Sequence, residues 1–115
     1  MTDTMLHINV ENLKRVDLVT ANGRIDSNSA PEFDKILKEI IEAGRYNLVL
    51  DLSQVNYMSS AGLRSLVSAL RECKKKRGDV RLSSPSERVS EVLSLAGLDS
   101  LFQVFDDNTA AVGSF

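Results

Sequence analysis

The 115-residue chain contains no tryptophan, one histidine, one cysteine and two prolines. A single cysteine, Cys73, excludes an internal disulfide, so noncovalent packing must hold the fold, which suits a reducing compartment. A single histidine, His7, leaves no Cys/His cluster with metal-ligand spacing, and there is no glycine-rich phosphate loop followed by lysine. No cofactor and no metal are expected. Charge of one sign is also missing: 14 basic against 16 acidic side chains leave a net charge of −2, too little positive field to grip a polyphosphate backbone, which argues against direct nucleic-acid binding. No apolar run approaches the ~20 residues needed to cross a bilayer. Residues 1–6 lack the basic segment, apolar run and small-residue cleavage site of a leader. Membrane insertion is therefore not expected, and the cytoplasm is the expected location.

The chain does have enough apolar content, 43% of residues, to build one hydrophobic core at this length, and one domain is expected over residues 1–115. Leu6, Ile8 and Val10 alternate with polar neighbours, and a second run follows through Val16, Leu18 and Val19. This period of two reads as an antiparallel hairpin. Ser29, Ala30, Pro31 and Glu32 have capping-box spacing and a first-turn proline, ahead of Phe33, Ile36, Leu37, Ile40 and Ile41 at helical intervals. Gly44 ends that helix.

Leu48, Val49, Leu50 and Leu52 form a short, nearly unbroken apolar run, the pattern of a central strand covered on both faces. From Ser60 the period changes to that of a helix, with Leu63, Leu66, Val67, Leu70 and Cys73 on one stripe and Arg64, Ser68, Arg71, Glu72 and Lys75 opposite. Val80 and Leu82 read as a strand. Ser84, Pro85, Ser86 and Glu87 repeat the cap pattern before Val89, Val92, Leu93 and Ala96. Leu98 to Phe105 reads as a last short strand, and Asp107 or Asn108 caps a brief terminal helix. The predicted fold is α/β: a mixed sheet of four to five strands, antiparallel in the N-terminal hairpin and mainly parallel afterwards, packed with about four helices.

Enzymatic chemistry finds no support in the pattern. The nucleophile-elbow spacing of Gly, any, Ser, any, Gly is missing around Ser59 and Ser60, and His7, the one candidate imidazole base, belongs to the first strand. Cys73 continues a core stripe and reads as a small buried apolar residue. Asp51 sits where a receiver domain accepts a phosphoryl group, but the acidic pair that would hold Mg²⁺ after the first strand is missing. Asp51 reads instead as a strand-end turn former that bonds donors around Ser53.

The segment Asp51, Leu52, Ser53, Gln54, Val55, Asn56, Tyr57, Met58, Ser59, Ser60, Ala61, Gly62, Leu63 resembles the STAS family, whose domains occur in sulphate transporters and anti-sigma factor antagonists. Met58 to Leu63 match, in order, the family's strand-to-helix motif. Gly23, Arg24, Ile25 and Asp26 are similar to its Gly, any, Leu, Asp turn before the first helix, and the resemblance spans nearly the whole chain. It implies a non-enzymatic, phosphorylation-regulated anti-sigma factor antagonist that regulates transcription indirectly. Its partners would be an anti-sigma factor serine kinase, which it binds when unphosphorylated and which modifies Ser60, and a PP2C-type phosphatase. It also implies a partner-contact face of Asp26, Ser59, Gly62 and Arg64. One position departs from the family: aspartate often precedes the acceptor serine, and here Ser59 does so, offering a second hydroxyl. Two other readings stand beside this one. Ser60 can serve only as a helix N-cap, or the domain can be an unphosphorylated scaffold subunit of a transporter or stress-sensing complex.

Overall fold

The computed structural model describes residues 6–115, so the reading of residues 1–5 falls outside it. Strands β1 (His7–Asn12) and β2 (Asp17–Ile25) form the antiparallel hairpin that their alternation predicts. Next come helix α1 (Ala30–Glu42), strand β3 (Asn47–Met58), helix α2 (Ser60–Lys75), strand β4 (Asp79–Ser83), helix α3 (Glu87–Leu95), strand β5 (Val104–Phe105) and helix α4 (Asn108–Gly113). The sheet order is β1-β2-β3-β4-β5, with β2 through β5 parallel. Each parallel step needs a crossover, and α1, α2 and, after it, α3 supply them.

The central position expected for the Leu48 run is what β3 occupies, and its unbroken apolar pattern follows from burial on both sides. Leu48, Leu50 and Leu52 join the main core with Phe33, Leu37, Leu66, Leu70 and Leu82. Val49 points the other way and packs with Val16 and Ala111 under α4. Gly44, with φ of 90°, adopts the left-handed conformation that ends α1.

Several local expectations are corrected. Gly23, Arg24 and Ile25 belong to β2 itself rather than to a turn, because β2 stays paired with β3 as far as Ile25 opposite Met58, across two register shifts. The last strand shrinks to two residues, since only Val104 and Phe105 meet β4. Ser29 occupies the N-cap position of α1 but makes no side-chain capping bond. Its hydroxyl donates to the Arg24 carbonyl at 2.6 Å and accepts from the Asp26 amide, tying the helix start back to β2. At α3 the cap is Ser86, which accepts from Val89 N–H, and at α4 it is Asp107.

Candidate functional site

The segment that carries the family resemblance is a junction between two parallel strands and a helix. β2 and β3 end side by side at Ile25 and Met58, and the Ser59 amide then donates to the Ile25 carbonyl at 2.8 Å. This bond brings the turn after β2, with Asp26, alongside the start of α2. The two ends sit at the carboxyl edge of the parallel strands, where α/β sheets place their sites.

At the helix start the serines divide their roles. The N-cap is Ser59, not Ser60: its extended backbone turns the hydroxyl inward to accept the Gly62 amide at 3.3 Å. Ser60 is the first helical residue, exposed, and takes no part in the capping bond. Leu63 N–H closes the turn on the Ser59 carbonyl. Gly62 is buried against β2: a β-carbon there would lie 2.7 Å from Ile25 Cγ2 and 3.1 Å from Met58 Cγ. Any larger residue would have to displace Ile25 or Met58, because the helix enters directly over Ile25.

Asp26 is built into its turn rather than left free. Its Oδ1 accepts from the amides of Asn28 and Ser29, with the Ser29 oxygen, whose hydrogen goes to the Arg24 carbonyl, 3.1 Å away. The Ser29 amide is the chief cause that holds its carboxyl below the ordinary carboxylate range, with Asn28 and the Arg24 guanidinium acting in the same direction against partial burial. A fixed anion thus flanks the serines. Arg64, one turn into α2, is exposed and lines a shallow groove between α1 and α2 with Ser27, Ala61 and Ser68. Asp26, Ser59, Ser60, Gly62 and Arg64 are therefore brought together around one turn.

Asp51 lies outside this group. Its Oδ1 accepts from the amide and hydroxyl of Ser53, and its Oδ2 from Asn108 Nδ2 at 3.0 Å. Burial pushes its carboxyl up, but the donors from Ser53 and Asn108 together pull it below the ordinary value. β3 does not end there; only its pairing with β4 ends, at Asp51 opposite Ser83. Asp51 thus anchors α4. His7 is exposed on the edge strand opposite Asn22, and Cys73 is buried with its thiol pushed up to about 12, mainly by burial. Among the described residues no group of His, Cys, Asp and Glu could hold a metal ion, and no helix is long and apolar enough to cross a membrane.

The sequence reading passed over Arg24 and Tyr57 as site residues. They face each other across the β2/β3 ladder, the guanidinium carbon 4.4 Å from the ring centroid, and Arg24 Nε lies 3.6 Å from Asp26 Oδ2. Alternation along β2 places Arg24 on the sheet face opposite the main core, but its pairing with Tyr57 depends on the register shifts and cannot be read from either strand alone.

Fold and site define a small STAS-type module in which an exposed serine, directly after the capping one, starts the helix that follows the central strand. The STAS domain family is matched over residues 7–111, and the chain belongs to that family. It is 30% identical over 93 residues to BtrV of Bordetella bronchiseptica, a protein named provisionally as an anti-sigma factor antagonist, covering 81% of this chain and 80% of that one. The crystal structure of a Thermotoga maritima protein with the same provisional name superposes with a TM-score of 0.87 at 27% identity, over 93% of this chain and 92% of that one. SpoIIAA, solved unphosphorylated and phosphorylated, shares the fold. Its TM-scores are 0.80 and 0.77 at 19% and 17% identity, over 92% and 94% of this chain and 93% and 98% of the two SpoIIAA chains.

Proposed function

We propose that this protein is an anti-sigma factor antagonist that acts by binding, and that phosphorylation of Ser60 switches it off. Unphosphorylated, it holds an anti-sigma factor that is also a serine kinase, freeing a sigma factor and so regulating transcription indirectly. A PP2C-type phosphatase restores the unmodified form, and both steps take place in the cytoplasm. The names of BtrV and the Thermotoga protein support the binding role.

One observation carries the choice of acceptor: Ser59 is committed to the Gly62 amide, while Ser60 is exposed beside it. A kinase needs an accessible hydroxyl, and Ser59 would have to give up its cap to become one. A phosphate on Ser60 adds about −1.5 to −2 charge. At the first turn of α2 that charge meets the positive end of the helix dipole, so the domain itself tolerates it. That SpoIIAA keeps this fold in both states accords with a switch that works at the interface rather than by refolding. Asp26, Ser59, Gly62 and Arg64 form the contact face around Ser60. Set against a partner's acidic group ~4 Å away at an effective dielectric near 20, each unit of added charge costs about 4 kcal/mol, or roughly three decades in affinity.

The test is incubation with the kinase and ATP, with the phosphate located by mass spectrometry. Phosphate is expected on Ser60, is lost in Ser60→Ala, and is retained in Ser59→Ala. Ser60→Ala keeps partner binding and Ser60→Asp weakens it. Modification of Ser59 alone overturns the choice of acceptor, and equal partner binding by Ser60→Ala and Ser60→Asp favours the unphosphorylated scaffold.

A further inference from the structure

Arg24 is a charged residue near the Ser59–Ser60 turn whose side chain, unlike that of Asp26, takes no part in the hydrogen bonding of its own turn, and unlike Arg64 it is held by neighbours on two sides. It stands on the outward face of β2, where Leu18, Thr20 and Asn22 alternate with the buried Val19, Ala21, Gly23 and Ile25. On this face α4 packs beside β3, β4 and β5, and its cluster reaches β2 at Leu18. The Arg24 side chain is 38% exposed, yet it does not hang free in solvent. The Tyr57 ring lies beneath its guanidinium at 4.4 Å, and Asp26, its one charged neighbour among the described residues, lies at one side through Nε at 3.6 Å. Asp26 is in turn fixed by two backbone amides of its own turn. A planar cation supported from below and from one side, with Nε engaged, keeps its two terminal nitrogens for a further acceptor.

We propose that Arg24, positioned by Tyr57 and Asp26, is a specificity-determining contact that receives a carboxylate of the anti-sigma partner. This rests on the partner-binding role proposed above and names the chemistry of the partner surface. Guanidinium suits a carboxylate because two parallel N–H groups match its two oxygens. Holding the side chain in place beforehand reduces the ordering that binding would otherwise require. A partner that presents lysine or arginine at this point meets like charge and is rejected.

The experiment measures binding of the unphosphorylated protein to its purified anti-sigma kinase by surface plasmon resonance at 50, 150 and 500 mM salt, with urea midpoints confirming that each variant folds. Arg24→Gln is expected to weaken binding about tenfold and Arg24→Glu by a hundredfold or more, mostly through a slower on-rate and a flatter salt dependence. Tyr57→Leu should fall near Arg24→Gln, while Tyr57→Phe, which keeps the ring, stays near wild type. In the partner, reversal of one Asp or Glu to Arg should restore binding to Arg24→Glu. Wild-type affinity and salt slope in Arg24→Glu would overturn this proposal while leaving the antagonist reading intact. Failure of the wild-type protein to bind the kinase at all would overturn both.

Discussion

A β-carbon on Gly62 would stand 2.7 Å from Cγ2 of Ile25, so the start of α2 and the end of β2 are packed as closely as a glycine allows. Gly62→Ala should be destabilising: overpacking costs about 1–3 kcal/mol and outweighs the ~1 kcal/mol that alanine gains in a helix. Chemical denaturation reads the difference. Ile25→Leu removes the Cγ2 methyl on the β-carbon that the new methyl meets, so the double variant should recover part of the loss. Strict additivity of the two changes would show that the contact is not the cause.

The neighbouring serines should separate in stability as they do in geometry. Ser59→Ala removes the cap on the Gly62 amide and is expected to cost about 1 kcal/mol. Ser60→Ala removes no capping bond and should stay within about 0.5 kcal/mol of wild type. Urea unfolding of both variants decides, and the reverse order would return the cap to Ser60.

Asn108 joins two strands to α4 by accepting from the Ser83 hydroxyl at 2.6 Å and donating to Asp51 at 3.0 Å. Asn108→Ala leaves partly buried groups unpaired and should cost about 1–3 kcal/mol, with hydrogen exchange accelerated first in α4. Asp51 should then titrate at higher pH, since a donor that favours its charged form is gone. Because its carboxyl lies below the ordinary value in the folded protein, Asp51 contributes stability above that ordinary value and loses it as pH falls through the lower folded one. Acid should therefore cost the Asn108→Ala variant less than it costs wild type, and carboxyl NMR titration tests the shift directly.

Cys73 is wholly buried, and its thiol is pushed from 9.0 to about 12. At neutral pH an aromatic disulfide reagent should react with it only at the rate of unfolding. Between pH 9 and about 12 the unfolded thiol ionises while the folded one does not, so this group's contribution to stability is full below 9 and declines as pH rises through that interval. A prompt stoichiometric reaction with the native protein at pH 7 would contradict the burial.

Most of the architecture was legible in the chain because burial imposes a period. The hairpin, the doubly covered β3 and the three larger helices follow from apolar spacing of two, none and 3.6, and the Met58 to Leu63 motif located the strand-to-helix junction. What only the tertiary structure decided is which polar group meets which. Capping spacing put Ser29 in a box with Glu32, but the Arg24 carbonyl lay closer to hand and took the hydroxyl. Two adjacent serines are equivalent caps on paper. The bond from the Ser59 amide to Ile25 sets where β3 stops, and so makes Ser59 the cap and leaves Ser60 outside. The stack of Arg24 on Tyr57 needs the register of two strands more than thirty residues apart, including its two shifts. Hydrophobic periodicity is local and survives in the sequence, whereas register and hydrogen-bond choice are settled only when distant segments compete for the same few donors and acceptors.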